Sequence, residues 1–188
     1  MLALALLCTC AAAQAGAELD QLRVERVDNA LLLQASLRLE LGSAVEDALL
    51  KGVPVHFVAE AELLRDRWYW YDRKLAQVSR YYRLAYQPLT RQWRLQVASE
   101  PIAAGTASSS LAQTFESLPA ALDVVRRQSG WKLADASELD PDARQYVLYR
   151  FRLDMSQLPR PFQIAAGSQS DWALGLSRQL RLSPELGR

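Results

Sequence analysis

Apolar and polar residues alternate along most of the chain, and a period of two marks strands with one face on a core. Leu33, Ala35, Leu37 and Leu39 alternate with Gln34, Ser36, Arg38 and Glu40. Residues 31–41 are therefore expected to pair with residues 19–28 in a hairpin around Asn29-Ala30. Val53, Val55, Phe57, Ala59, Ala61 and Leu63 fall on one face of a further long strand. Trp68-Tyr69-Trp70-Tyr71 continues it with shifted parity, which requires a bulge near residues 65–67. After a tight reversal at Asp72-Arg73, Val78, Arg80, Tyr82, Leu84 and Tyr86 alternate up to a turn at Pro88-Leu89, and Trp93, Leu95 and Val97 keep the same face. Two-residue turns would make Ala61, Leu84 and Trp93 cross-strand neighbours, and likewise Leu63, Tyr82 and Leu95. The result is a three-stranded meander over residues 53–97.

Two short helices interrupt this pattern. Ser43-Ala44-Val45-Glu46 has the spacing of a capping box, in which serine and glutamate satisfy each other's backbone donors, and the helix should run to Lys51. Gly52 supplies a left-handed exit and Pro54 blocks continuation. Ser117 is the expected N-cap of the second, with Pro119 in its first turn and Leu118, Ala121, Leu122 and Val125 as its buried stripe ahead of Gly130. Residues 106–115 are expected to form another strand behind a small-residue loop at 103–110. Val147, Tyr149, Phe151, Leu153 and Met155 form a strongly alternating strand that ends at Pro159-Arg160-Pro161, and Trp172, Leu174 and Leu176 a last one. The fold class expected is mainly β: an antiparallel β-sandwich of about eight strands with two short helices, one domain over residues 18–188.

Residues 2–13 are a run of apolar and small residues, too short for the ~18 expected of a membrane span, and small residues follow at cleavage spacing. This reads as a secretory signal peptide over residues 1–17, cut after Ala15 or Ala17, and places the mature protein in the periplasm. The usual basic segment is missing, as it would be if the start codon were assigned too far downstream. An uncleaved anchor, or lipidation at Cys10 of Leu7-Cys8-Thr9-Cys10, is the alternative.

Cys8 and Cys10 both fall within that leader, so the mature domain would lack thiol chemistry and disulfides. His56 is the only histidine, which removes histidine metal clusters and most acid/base pairs, and neither metal nor cofactor is expected. The 22 basic and 21 acidic residues leave a net charge of +1, which argues against nucleic acid, a ligand that needs a concentrated basic footprint.

Several unusual words occur in order: Ala48-Leu49-Leu50-Lys51-Gly52-Val53-Pro54-Val55, then Arg67-Trp68-Tyr69-Trp70-Tyr71-Asp72, Tyr86-Gln87-Pro88-Leu89-Thr90-Arg91-Gln92, and Leu153-Asp154-Met155-Ser156-Gln157-Leu158-Pro159-Arg160-Pro161-Phe162-Gln163. In these the chain resembles the bacterial family catalogued as domain of unknown function 4390. The resemblance implies an exported proteobacterial protein without assigned catalytic residues. It also implies a membrane or periplasmic protein partner, because genes of the family lie beside a membrane sensor histidine kinase.

The candidate binding residues are Trp68, Trp70, Arg83 and Arg94. Trp68 and Trp70 share one face and Tyr69 and Tyr71 the other; they could form a stacking platform for sugar rings or peptide, or one pair fills the core while the other lines a sheet edge. The expected register sets Glu62 opposite Arg83 and Arg83 opposite Arg94. Such cations either join Glu60 and Glu62 in a solvated ladder or grip an anion by forked hydrogen bonds. Asp135, Glu138, Asp140 and Asp142 could supply the two carboxyls of a hydrolase, but surround Pro141 in a polar loop where turn and capping roles suffice. The function expected is non-catalytic recognition in the periplasm; a cofactor-free hydrolase or glycan-binding protein acting on envelope polymers is the alternative.

Overall fold

The computed structural model describes residues 16–66, 71–102, 111–166 and 170–187. Strands β1 (Gly16–Val27) and β2 (Ala30–Glu40) form the first hairpin, with Asp28 at φ +53° in the turn and Val27 paired with Ala30. Along β2, Leu31, Leu33, Ala35, Leu37 and Leu39 are buried while the even positions lean outward, as the alternation requires.

Helix α1 (Ser43–Leu50) ends in a Schellman motif: the Val53 N–H donates to the Ala48 carbonyl at 3.0 Å and Gly52 N–H to Leu49 at 2.8 Å, with Gly52 at φ +80°. The capping box is a correction. Gly42, not Ser43, is the N-cap, and Ser43 Oγ donates to Asp171 Oδ2 instead of capping its own helix.

Strands β3 (Val55–Arg65), β4 (Arg73–Gln87) and β5 (Gln92–Ala98) are the meander, but in a different register. Ala61 pairs with Val78 rather than Leu84, and Leu84 with Leu95 rather than Trp93. The β3–β4 reversal is wider than a tight turn at Asp72-Arg73, because Arg73 already pairs with Arg65; the register shift falls between Leu63 and Leu64 rather than at residues 65–67, and residues 67–70 lie outside the described ones. The β4–β5 connection has four residues rather than two, with Gln87 paired to Gln92 and Arg91 at φ +54°.

Strand β6 (Leu111–Phe115) falls within the 106–115 expected for a strand, and residues 103–110, expected as a loop, lie outside the described residues. Helix α2 (Leu118–Arg126) starts as expected: Ser117 Oγ accepts from the Ala120 N–H at 3.4 Å, and Ala121, Leu122 and Val125 are buried. It leads directly into β7 (Arg127–Asp135), a strand the alternation does not reveal. Two register shifts against β2 and buried Leu133 and Ala134 in succession break its period of two. Strand β8 (Gln145–Leu153) buries Val147, Tyr149, Phe151 and Leu153. Met155 is not part of it, since Asp154 Oδ1 accepts from the Ser156 N–H at 3.1 Å and turns the chain. A third helix, α3 (Arg160–Ala166), starts where a simple stop was expected. The final strand, β9 (Gly175–Arg181), lies beyond Trp172, which belongs to a 3-10 turn.

Among the described residues these nine strands form two antiparallel sheets, β1-β2-β7 and β6-β5-β4-β3-β8-β9, in a sandwich-like arrangement. Leu31, Leu33 and Leu39 of the small sheet share one core with Phe57, Leu63, Tyr82, Leu84, Tyr149 and Phe151 of the large one. Each such side chain contributes about 1.5–3 kcal/mol by leaving water. No helix among the described residues is long and apolar enough to cross a membrane.

Candidate functional site

Strand β3 lies between β4 and β8, and its even-numbered side chains point away from the small sheet. On this outward face Glu62 is buried between two cations: Lys74 Nζ lies 2.9 Å from its Oε1, and an Arg150 N–H donates to Oε2. Arg152 sits 3.8 Å from both Glu60 and Asp154. The carboxylates on the β3–β8 side are thus neutralised within the fold. A ladder of this kind was expected, though with Arg83 and Arg94 as its cations.

Arg83 and Arg94 are placed differently. Glu62 faces Gln77 and Leu148; Arg83 faces His56 and Gln96, and Arg94 faces Ala85. The direct Arg83–Arg94 pairing is corrected to a diagonal on the same face, a spacing of roughly 7–8 Å in general. Arg83 Nη1 donates to Gln96 Oε1 at 3.0 Å, and no carboxylate among the described residues pairs with either arginine. Arg94 is exposed and Arg83 half-buried. Trp68 and Trp70 lie outside the described residues.

His56 adjoins this pair. Its pKa is lowered to about 4, chiefly by burial and also by the Arg83 charge, while Asp154 opposes the shift. It is a neutral imidazole at pH 7, with Nδ1 buried and without a hydrogen-bond partner among the described residues.

Of the carboxylates weighed for hydrolysis, Asp140 and Asp135 are held in structural contacts. Asp140 pairs with Arg65 at 3.2 Å and accepts from the Asp142 N–H at 3.1 Å, and Asp135 pairs with Lys132 at 2.7 Å. Asp142 and Asp66 border an opening of about 440 Å³ that also contains Tyr146, whose phenol donates to Asp72. That bond is the main reason the Tyr146 pKa rises to about 12. No group of three or more metal-ligating side chains occurs among the described residues.

Arg80 is the residue that the pattern hid in plain view. It interrupts the inward row Val78, Tyr82, Leu84, and its guanidinium carbon lies 5.1 Å from the centre of the Trp131 ring. Burial pushes the pKa of the neighbouring Tyr82 phenol up to about 12, and the Arg80 charge opposes that rise. A lone cation in an apolar row was the available signal.

A family model described as a domain of unknown function, DUF4390, matches residues 14–181. The chain belongs to this family. The matched span covers all nine strands, so the DUF4390 unit and the two-sheet fold coincide. Neither the curated proteins nor the solved structures contain a match.

Proposed function

We propose that this DUF4390 protein is an exported, non-catalytic recognition module of the bacterial periplasm, engaging a protein at the inner membrane through the outward face of its β3–β5 meander. The observation that carries this reading is the uneven charge of that face. The β3–β8 side compensates its own carboxylates, whereas Arg83 and Arg94 have no carboxylate partner among the described residues. Two diagonal guanidinium groups on an exposed sheet favour an acidic partner surface, mostly by steering the encounter and fixing its register. Trp68 and Trp70 join the proposal on sequence grounds, as aromatic area beside the cations.

The leader-like residues 1–15 support export. Cleavage after Ala15 would leave β1 whole, whereas cleavage after Ala17 would remove Gly16 and Ala17, which pair with Glu40 and Leu39. The gene neighbourhood that the family resemblance implies makes the periplasmic part of a sensor histidine kinase the first partner to test.

The test is co-sedimentation of purified protein with inner-membrane vesicles whose periplasmic face points outward. Recognition of a membrane protein requires binding that is lost after external proteolysis of the vesicles and reduced at least tenfold by Arg83→Glu with Arg94→Glu. Equal binding to protein-free liposomes, or an unaffected double variant, would remove the basis of the proposal.

A further inference from the structure

A six-stranded sheet faced by only three strands leaves part of its inner surface without a partner sheet. On one side β1 closes against β9. On the other, β7 lies over β3 and β4, and α2 packs against β5 and β6. Between β7, α2 and the β4–β6 margin a cleft of about 900 Å³ remains open, within the range of general ligand sites. Its walls include the apolar side chains of Val78, Val97, Val124 and Trp131, with the 74 %-exposed Leu111 at the edge.

Among the described residues the lining contains no aspartate or glutamate. Its cations are Arg80 and Lys132. Lys132 is engaged by Asp135 at 2.7 Å, but Arg80 has no carboxylate partner among the described residues. A half-buried arginine is always charged, and its five N–H donors suit a carboxylate. The Trp131 ring flanks the guanidinium, its centre 5.1 Å from the guanidinium carbon, and a π contact of this kind does not replace an anionic partner.

We propose that this cleft binds a long-chain carboxylate, with the acyl chain along Val78, Val97, Val124 and Trp131 and the carboxylate on Arg80. Charge selects the occupant: the mixed lining sets an arginine without a carboxylate partner among the described residues beside an apolar strip, which favours an anionic amphiphile over a cationic or neutral one. The site lies on the opposite face of the large sheet from Arg83 and Arg94 and is independent of partner recognition there.

The experiment is calorimetric titration of the full mature chain with dodecanoate below its micellar concentration, beside dodecyltrimethylammonium and dodecanol. Dodecanoate should bind at least tenfold more tightly than either, with affinity rising from octanoate to dodecanoate. Arg80→Gln should abolish that preference. Because Arg80 also contacts the core, Gln113→Glu on the exposed edge of the cleft serves as a second variant: it should weaken dodecanoate at least threefold, and Gln113→Lys should strengthen it. Equal affinities for the three head groups, no binding of dodecanoate, or indifference to both Gln113 variants would overturn the proposal.

Discussion

The carboxylate of Asp171 caps a helix that starts 128 residues before it: Oδ2 accepts from Ser43 Oγ and from the Ala44 N–H, both at 3.3 Å. Gly42 makes room for this. A Cβ on Gly42 would lie 2.6 Å from Asp171 Cβ, closer than two carbons can approach. The contact ties the turn before β9 to the start of α1.

Gly42→Ala should therefore destabilise the protein by about 1–3 kcal/mol, and Asp171→Ala by about 1 kcal/mol through loss of the cap. The two losses should not add, because a Cβ at position 42 already pushes Asp171 out of capping position, so that removing its carboxylate as well costs little more. Urea denaturation of the single and double variants measures the coupling; strict additivity would show that the two residues act separately.

His56 gives a pH dependence with a definite sign. Its pKa falls from 6.5 in the unfolded chain to about 4 in the fold, so between these values the unfolded state binds the extra proton. Stability from this residue is complete above pH 6.5 and is lost as pH falls towards 4, by roughly 2 kcal/mol at pH 5. His56→Gln should flatten the melting temperature between pH 6.5 and 5. A variant with the same slope as the native protein would assign that limb to other groups.

Glu62 should matter more than either of its partners. Removing its charge with Glu62→Gln leaves Lys74 and Arg150 facing each other and weakens two charged hydrogen bonds, an expected cost of about 1–2 kcal/mol. Lys74→Gln should cost under ~0.5 kcal/mol, because Lys74 is half exposed and solvent replaces its partner. Denaturation midpoints of the two variants decide the order.

Replacing Arg83 and Arg94 together by glutamine should leave the melting temperature within about 3 °C of native, since neither arginine has a carboxylate partner among the described residues. A larger fall would show that the Arg83–Gln96 contact is structural rather than a surface available to a partner.

Much of the fold is legible in the chain because inward rows such as Leu33 to Leu39 and Val147 to Leu153 obey a strict period of two. What is hidden has physical causes. β7 departs from alternation at its bulges, with Gly130 at φ +59° and Gln128 buried to bond Tyr149 at 3.1 Å. The register of β3 on β4 depends on the width of a reversal, and alternation alone reports parity, not offset, so it gives the face of Arg83 but not its neighbours. The α1 cap is hidden because the local Ser-Glu pair is outcompeted by Asp171, a tertiary partner that no window around residue 43 contains. Arg94 and Arg83 were recognisable as outward cations; the significance of Arg80 emerges only with Trp131 above it.

Site-specific photo-cross-linking in living cells tests recognition through the meander face most directly. A benzophenone side chain in place of Arg94 is compared with one in place of Gln179, on the outward face of β9 across the same sheet. Recognition at Arg83 and Arg94 requires a discrete membrane-protein adduct from position 94, weak or absent from position 179, and lost when Arg83→Glu is added. Adducts of equal strength from both positions, or one from position 94 that persists with Arg83→Glu, would contradict it.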